Sequence, residues 1–432
     1  MTLMKRGTVH ELGQILLRDR TPESTTDPTV ASDVRQILDR VRACGDRALL
    51  EYTRAYDGAD LASKGIRVTE ADVAAARTEV NAKDVRALRY LQKRILRIEK
   101  KRLKAANFLY KDGFITMRQV TLPLSSVGCY VPGGRAAYPS TVLMTVVPAK
   151  VAGVPRIIMC SPPSKDGEID PLVIVAADLS GVDEIYRVGG AQAVASMAYG
   201  TETIRPVDKI VGPASQFVTE AKRMVSSVVS IDLPAGPSEI LILADNTADP
   251  YIVALDLISE AEHAPDNVPI LVTTSKMILE ETFKLIEERL DGLERREIIT
   301  EAFNAHGAFL LASSIDEAIE FINNFAPEHL EILADDSRSL AGRITSAGMI
   351  LLGGYTPTAA SDYCLGTNHV LPTRGFARTY SGLSVLDYVK TVPIVECKRA
   401  ALKRMLGPAK ILSHREGLPN HYLALEGRFS NE

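Results

Sequence analysis

The sequence predicts an α/β fold made of two doubly wound layers, and three observations carry that prediction. From about residue 125, short β-rich runs alternate with helical stretches. The alternation starts a second time near residue 239. Glycine-bearing turns follow several of the predicted strands. Strands that alternate with helices mark a parallel sheet with helices on both faces.

Taken in order, residues 28–57 read as an amphipathic helix, with Val34, Ile37, Leu38 and Val41 at helical spacing and Asp27-Pro28 as cap and first-turn proline. A second helix over 81–108 puts Val85, Leu88, Leu91, Ile95 and Ile98 on one face; its other face, from Arg86 to Lys104, is basic. The first layer has strands at 126–131, 156–161, 184–188 and 209–211, with helices at 140–152, 171–179 and 192–199 between them. The second has strands at 239–243, 269–273, 309–311 and 349–352, with helices near 249–262, 275–306 and 315–324. The N-terminal helices are expected to complete this second layer. The last fifty residues read as helical and polar, an arm ending in Leu418-Pro-Asn-His421.

Composition bounds the function. A chain of 432 residues can hold two or three domains and a large core. Net charge −4 and a pI near 6.1 give no overall pull toward nucleic acid or a membrane surface. No stretch approaches the roughly 18 uncharged apolar residues of a membrane span, and the N-terminus lacks an apolar signal core. The five cysteines are scattered and form no CxxC, as expected of a reduced, cytoplasmic protein. Cys129 and Cys364 sit where a nucleophile would fit, but core filling is the plainer account.

Histidine is scarce, at 7 residues, yet four fall in acid-containing clusters: Glu260/His263, Glu328/His329, Asp362/His369 and Glu416/His421. Imidazole beside carboxylate serves a metal site or a general acid–base pair, so the chain reads as an enzyme. Glu260 and His263 are three apart near a helix end and share a face, with Asp362 and His421 available to close a metal set. A solvated helix-end pair has the same spacing. Glu328-His329 follows Pro327 and can aim two titratable groups into one cleft; a packed histidine beside a surface glutamate accounts for it equally well. The chain has no HExxH, which argues against a zinc protease. Gly189-Gly190-Ala-Gln192 opens a helix after a strand and offers backbone N–H groups to an anion, although helix–sheet packing explains those glycines as well. Val131-Pro-Gly-Gly-Arg135, with Tyr130 as a possible stacking ring, and Gly212-Pro213 are two further turns at strand ends.

Gly128-Cys-Tyr-Val-Pro-Gly-Gly134, Val188-Gly-Gly-Ala-Gln-Ala193, Leu233-Pro-Ala-Gly-Pro-Ser-Glu239, Ser259-Glu-Ala-Glu-His263, Pro327-Glu-His-Leu330 and Gly366-Thr-Asn-His-Val-Leu-Pro-Thr373 resemble histidinol dehydrogenase, in order over nearly the whole chain. The resemblance implies oxidation of L-histidinol to L-histidine via L-histidinaldehyde, the last steps of histidine biosynthesis, with two NAD and one bound Zn2+ per subunit. It also implies two incomplete Rossmann-like domains of aldehyde-dehydrogenase-like type and a homodimer with a swapped, helical C-terminal arm. The implied division is an N-terminal segment 1–26, a zinc and substrate domain of 27–129 plus 237–383, an NAD-binding domain 130–236, and a dimerisation arm 384–432.

Residue by residue, the implied zinc ligands are Glu260, His263, Asp362 and His421. Ser238, His329, His369 and Glu416 join them around the substrate. Glu328 and His329 match the acid–base pair, while Tyr130 and Gln192 match NAD contacts. A neutral His329 would take the alcohol proton and then that of the aldehyde hydrate, and Glu328 would activate the hydrating water.

Two positions depart from the family pattern. Glutamine is usual where this chain has Glu260, and a second carboxylate would cancel the ion's formal charge and soften its Lewis acidity. Asparagine is usual where this chain has Ser215, which would cost NAD a hydrogen bond of about 1 kcal/mol. The nearest rival is a same-fold dehydrogenase of another alcohol, similar to sulfopropanediol dehydrogenases; retention of His369 and Glu416 favours histidinol. A nucleic-acid-binding protein using the basic helix, or a zinc hydrolase, would leave the clusters or the nucleotide-type turns unexplained.

Overall fold

The computed structural model describes residues 4–18, 28–133, 137–213, 215–233 and 236–429. Asp27, Gly134, Arg135, Pro234 and Ala235, which belong to motifs discussed above, lie outside the described residues, as do residues 1–3 and 19–26 of segment 1–26.

Two all-parallel sheets carry the fold. The larger has six strands in the order Lys5–Thr8, Ala308–Leu311, Val268–Thr273, Glu239–Ala244, His329–Leu333, Met349–Leu352. The smaller has five, in the order Glu184–Arg187, Arg156–Ser161, Ser126–Tyr130, Lys209–Val211, Ser230–Ile231. Every strand flanked on both sides is buried on both faces, which is why the sequence shows apolar runs without alternation in all of them but His329–Leu333. In the larger sheet the odd residue Leu333 packs with helix Pro250–Ala261, while Leu330 and Ile332 pack with helix Ile315–Phe325 on the opposite face.

The N-terminal helices pack elsewhere than expected. Val30, Val34, Ile37, Leu38 and Val41 of helix Pro28–Tyr52 share a core with Ile158, Val194 and Val218. Leu88, Leu91 and Ile95 of helix Ala82–Ala105 share one with Val127, Val146 and Val173. Both cores belong to the five-stranded sheet, so these helices wind the smaller layer and not the larger one. The apolar seam of the second helix also runs differently, because Glu99 and not Ile98 takes its last buried position. Its carboxylate accepts the Val385 N–H at 2.6 Å and an Arg102 Nη1 bond at 2.9 Å, and these contacts make the burial tolerable. The basic residues Arg86, Lys93, Arg97 and Lys104 face solvent.

Three other elements differ from the sequence reading. The helix expected over 275–306 is two helices, Lys276–Arg289 and Arg296–Ala305, broken at Leu290–Gly292 and at Arg295, whose φ of 59° is left-handed. Pro327-Glu328-His329 enters a central strand; Ala326, at φ 53°, ends the preceding helix. The C-terminal fifty residues are not all helical. Val389–Cys397 pairs antiparallel with Ile115–Pro123, which also pairs with Phe108–Lys111, and only then come helices Arg399–Arg415 and Pro419–Glu426. No helix among the described residues is long and apolar enough to cross a membrane.

Helix Pro28–Tyr52 runs on into the turn Thr53–Asp57. Burial pushes the Asp57 carboxyl up to about 6, and its Oδ2 is buried without a hydrogen-bond partner. A raised acid favours the protonated folded state, so this group's contribution to stability is full below the ordinary carboxylate range and is lost as pH rises through about 6. Asp57→Asn is expected to stabilise the protein near pH 7 by about 1 kcal/mol, allowing for solvent screening of a partly exposed group, and to change nothing near pH 4. Thermal melts of both proteins at the two pH values check this; an equal shift at each would refute the titration account.

Candidate active site

The two sheets meet across a cavity of about 1570 Å³. The smaller sheet lines it with the turns at two strand ends: Pro132 and Gly133 after Ser126–Tyr130, then Pro213, Ser215 and Gln216 after Lys209–Val211. These two adjacent strands lead to opposite sides of the sheet, which makes this the switch point where open α/β sheets bind ligands. The larger sheet contributes its other edge. Ser238-Glu239 and Glu328-His329 stand where their strands begin, and Glu260 and His263 where helix Pro250–Ala261 returns to that edge.

Hydrogen bonds fix this wall. Glu328 Oε2 accepts the Glu239 N–H at 2.8 Å, Glu239 Oε1 accepts the Arg374 N–H at 2.8 Å, and Thr373 Oγ1 accepts the Gly236 N–H at 2.6 Å. Asn368, buried just before His369, donates to Met144 O at 2.8 Å and accepts from the Val370 N–H at 2.9 Å, tying the loop to helix Pro139–Ala152. Gly366 lets that loop pass: at φ 83° an added Cβ would stand 2.7 Å from the Arg94 backbone.

The titratable groups are crowded and dry. Burial, together with the charge of Glu260, raises the Glu328 carboxyl well above its usual range. His329 is 3% exposed; neither ring nitrogen has a hydrogen-bond partner, and Nδ1 lies 3.8 Å from Glu328 Oε2. Glu260 Oε1 is likewise buried and unpartnered, 3.8 Å from His263 Nδ1. Burial opposes the charged form of His263, but the carboxylates of Glu260 and Asp362 outweigh it and hold its pKa up. Burial lowers that of His369, whose Nδ1 lies 3.6 Å from Asp362 Oδ1 and whose Nε2 lies 3.4 Å from Thr141 Oγ1. A buried imidazole with both nitrogens free, beside a carboxyl of raised pKa, can accept and pass on a proton from a bound substrate.

Ser238, Glu260, His263, Glu328, His329, Asp362 and His369 thus border one cavity, as does Ser215 on the opposite wall. Tyr130 and Gln192 sit lower. The Tyr130 ring is in the core of the smaller sheet, with its hydroxyl accepting the Gly190 N–H at 3.3 Å, and Gln192 is buried in the first turn of helix Gly190–Tyr199. As placed, the Tyr130 ring presents no open face for stacking. Glu416 and His421 are exposed on the C-terminal helices and outside the cavity. Among the described residues no three His, Cys, Asp or Glu side chains converge closely enough to hold a metal ion. Cys129 is fully buried with its thiol pushed up to about 12, so it is no nucleophile at neutral pH, and Cys364 is exposed. Sequence reasoning missed Thr141 and Arg374; neither stands beside a titratable group in sequence, the only signal available at that level.

Two parallel sheets that meet over a pocket of imidazoles and carboxylates make an α/β fold with the side chains an enzyme site uses. Comparison with known proteins says which kind. The family profile described as Histidinol dehydrogenase matches residues 19–429. A histidinol dehydrogenase of Methanothermobacter thermautotrophicus is 45% identical over 91% of this chain and 92% of its own length. One of Methanopyrus kandleri is 42% identical over 100% of both chains. The crystal structure of histidinol dehydrogenase from Elizabethkingia anophelis superposes with a TM-score of 0.92 at 34% identity, covering 99% of this chain and 98% of that one. The chain belongs to the histidinol dehydrogenase family.

Proposed function

We propose that this chain oxidises L-histidinol to L-histidine through the aldehyde, reducing two NAD, in the cytoplasm. The observation that carries the reading is His329, buried beside Glu328 with both ring nitrogens unpartnered, in the cavity that Glu260, His263 and Asp362 also line. An imidazole is costly to bury unsatisfied unless a ligand completes it.

The donor chemistry fits the zinc that the family implies. Glu260 Oε1 is a buried carboxylate oxygen without a partner, and an imidazole and a second carboxylate border the same cavity. Glu260, His263 and Asp362 would hold the ion with His421 from the arm of a second subunit, and Glu416 of that arm would close over the substrate. When bound, zinc would grip the nitrogens of histidinol and so fix the alcohol beside His329. The nucleotide, the hydride acceptor, would lie along the switch point near Ser215, with Tyr130 and Gln192 shaping the floor beneath. On this reading residues 130–236 serve the nucleotide and 237–383 the metal and substrate; of 27–129, expected with the latter, helices Pro28–Tyr52 and Ala82–Ala105 pack on the smaller sheet.

A ring nitrogen of His329 takes the hydroxyl proton as hydride leaves carbon. As water adds to the aldehyde, Glu328 receives the water's proton and His329 returns its own to the carbonyl oxygen, which frees the ring again; a carboxyl whose raised pKa makes it a stronger base once ionised suits the first of these roles. His329 takes the hydrate's proton in the second oxidation. Ser238 and His369 orient the substrate, and the buried setting keeps the aldehyde from escaping.

Incubation of the purified protein with histidinol and NAD, with and without a chelator, tests the reading. Two NADH per histidinol, lost on chelation and restored by zinc, are expected; no NAD reduction by histidinol in zinc-replete protein refutes it. Glu260→Gln is expected to keep activity within a few-fold of the parent, because an amide oxygen remains to ligate zinc. An inactive protein that no longer binds zinc would show that the carboxylate is required.

A further inference from the structure

Behind the cavity wall lies a carboxyl pair that the chemistry above does not use. Glu331 stands on strand His329–Leu333, two residues beyond His329 and therefore on the same face of the sheet, and is 1% exposed. Its Oε1 accepts from both the N–H and the Oγ1 of Thr358, at 2.6 and 2.8 Å. Its Oε2 is buried and receives no bond from any N–H or hydroxyl. Against this carboxyl lies that of Asp256, one helical turn before Glu260 on helix Pro250–Ala261. Two carboxylates in contact in a dry interior repel each other. One proton between them removes the repulsion and supplies the missing donor. Burial and this proximity hold the Glu331 carboxyl well above the usual carboxylate range, so that the pair retains a proton.

The three elements joined here are the ones that carry the reactive groups. Helix Pro250–Ala261 holds Glu260, strand His329–Leu333 holds His329, and Thr358–Ala360 leads directly into the turn Ser361–Leu365 that holds Asp362. We propose that Asp256 and Glu331 are positioning residues, a proton-sharing carboxyl strut that sets the spacing of Glu260, His329 and Asp362 and thereby the site's metal affinity and turnover. The metal part of this inference rests on the zinc reading above; the turnover part does not. Supporting partners of this kind commonly govern metal affinity by 10–100-fold.

Zinc affinity by competition with a chromogenic chelator, kcat and KM for histidinol, and melting of the metal-free protein are measured for the parent, Glu331→Leu, Asp256→Ala and Glu331→Gln. Glu331→Leu and Asp256→Ala are expected to bind zinc at least tenfold more weakly and to lower kcat at least tenfold with a smaller change in KM. Glu331→Gln is expected to restore both to within about threefold, because its amide accepts from Thr358 and donates to Asp256. If Glu331→Leu does not fold, Asp256→Ala, altered at the half-buried partner, decides. Leucine or alanine variants with parental affinity and kcat overturn the proposal, as does a glutamine variant that is no better than leucine. If the parent binds no zinc, the zinc reading fails alone; the kcat loss and its rescue by glutamine still decide the strut.

Discussion

His329→Asn is expected to lower kcat for histidinol oxidation by about 10²–10⁴-fold, the usual range for loss of a general base, while zinc stays bound. The expectation comes from where the ring sits. It is buried with both nitrogens unpartnered, so asparagine fills much of the same space but cannot take a proton. His329 is not a proposed ligand, and the wall around it is held by bonds it does not make: Glu328 to Glu239, Glu239 to Arg374, and Thr373 to Gly236. Glu328→Gln is expected to slow mainly the second oxidation, so that aldehyde trapped by a carbonyl reagent accumulates. Rapid-mixing measurement of NADH release together with metal analysis distinguishes these outcomes. Loss of zinc from His329→Asn, or an undiminished rate, would remove the residue from the role given to it here.

Mixing two inactive proteins is expected to restore activity. Glu416 and His421 lie outside the cavity of their own chain, on helices that come after the exposed antiparallel ribbon of Val389–Cys397 and Ile115–Pro123. If their arm completes a neighbour's site, a dimer of one His329→Asn chain and one His421→Ala chain contains one site with all its groups intact. Random reassociation of equal amounts then gives about a quarter of the parental rate from two parents that are each nearly dead. Co-refolding, then an activity assay and sizing of the product, checks this. A mixture that stays inactive although mixed dimers form would place both residues at their own chain's site.

The alternation of strands and helices was legible because central parallel strands such as Glu239–Ala244 and Arg156–Ser161 are runs of apolar residues ended by turn formers. Strand His329–Leu333 escaped notice because two of its five residues, His329 and Glu331, are titratable and buried, and a strand with working groups on one face loses its apolar signature. Strand Val389–Cys397 was hidden for the opposite reason. It is mostly exposed and carries Lys390, Pro393 and Glu396, residues that read as loop. The candidate site was legible as pairs: Glu260 with His263 and Glu328 with His329 are sequence neighbours. Their convergence on one cavity was implied only by resemblance, and Thr141 and Glu331 gave no local signal because their partners are 228 and 27 residues away.

The edge-to-edge meeting of the two sheets has a consequence for the order of events. On the proposed assignment the redox carrier belongs to the carboxyl edge of one layer and the molecule being oxidised to the amino edge of the other, so they share a gap but few attachment points. Spent carrier can therefore be traded for fresh while the half-finished product stays moored to its own bank. An enzyme that must draw two electron pairs from one molecule without letting go needs such independence between its berths.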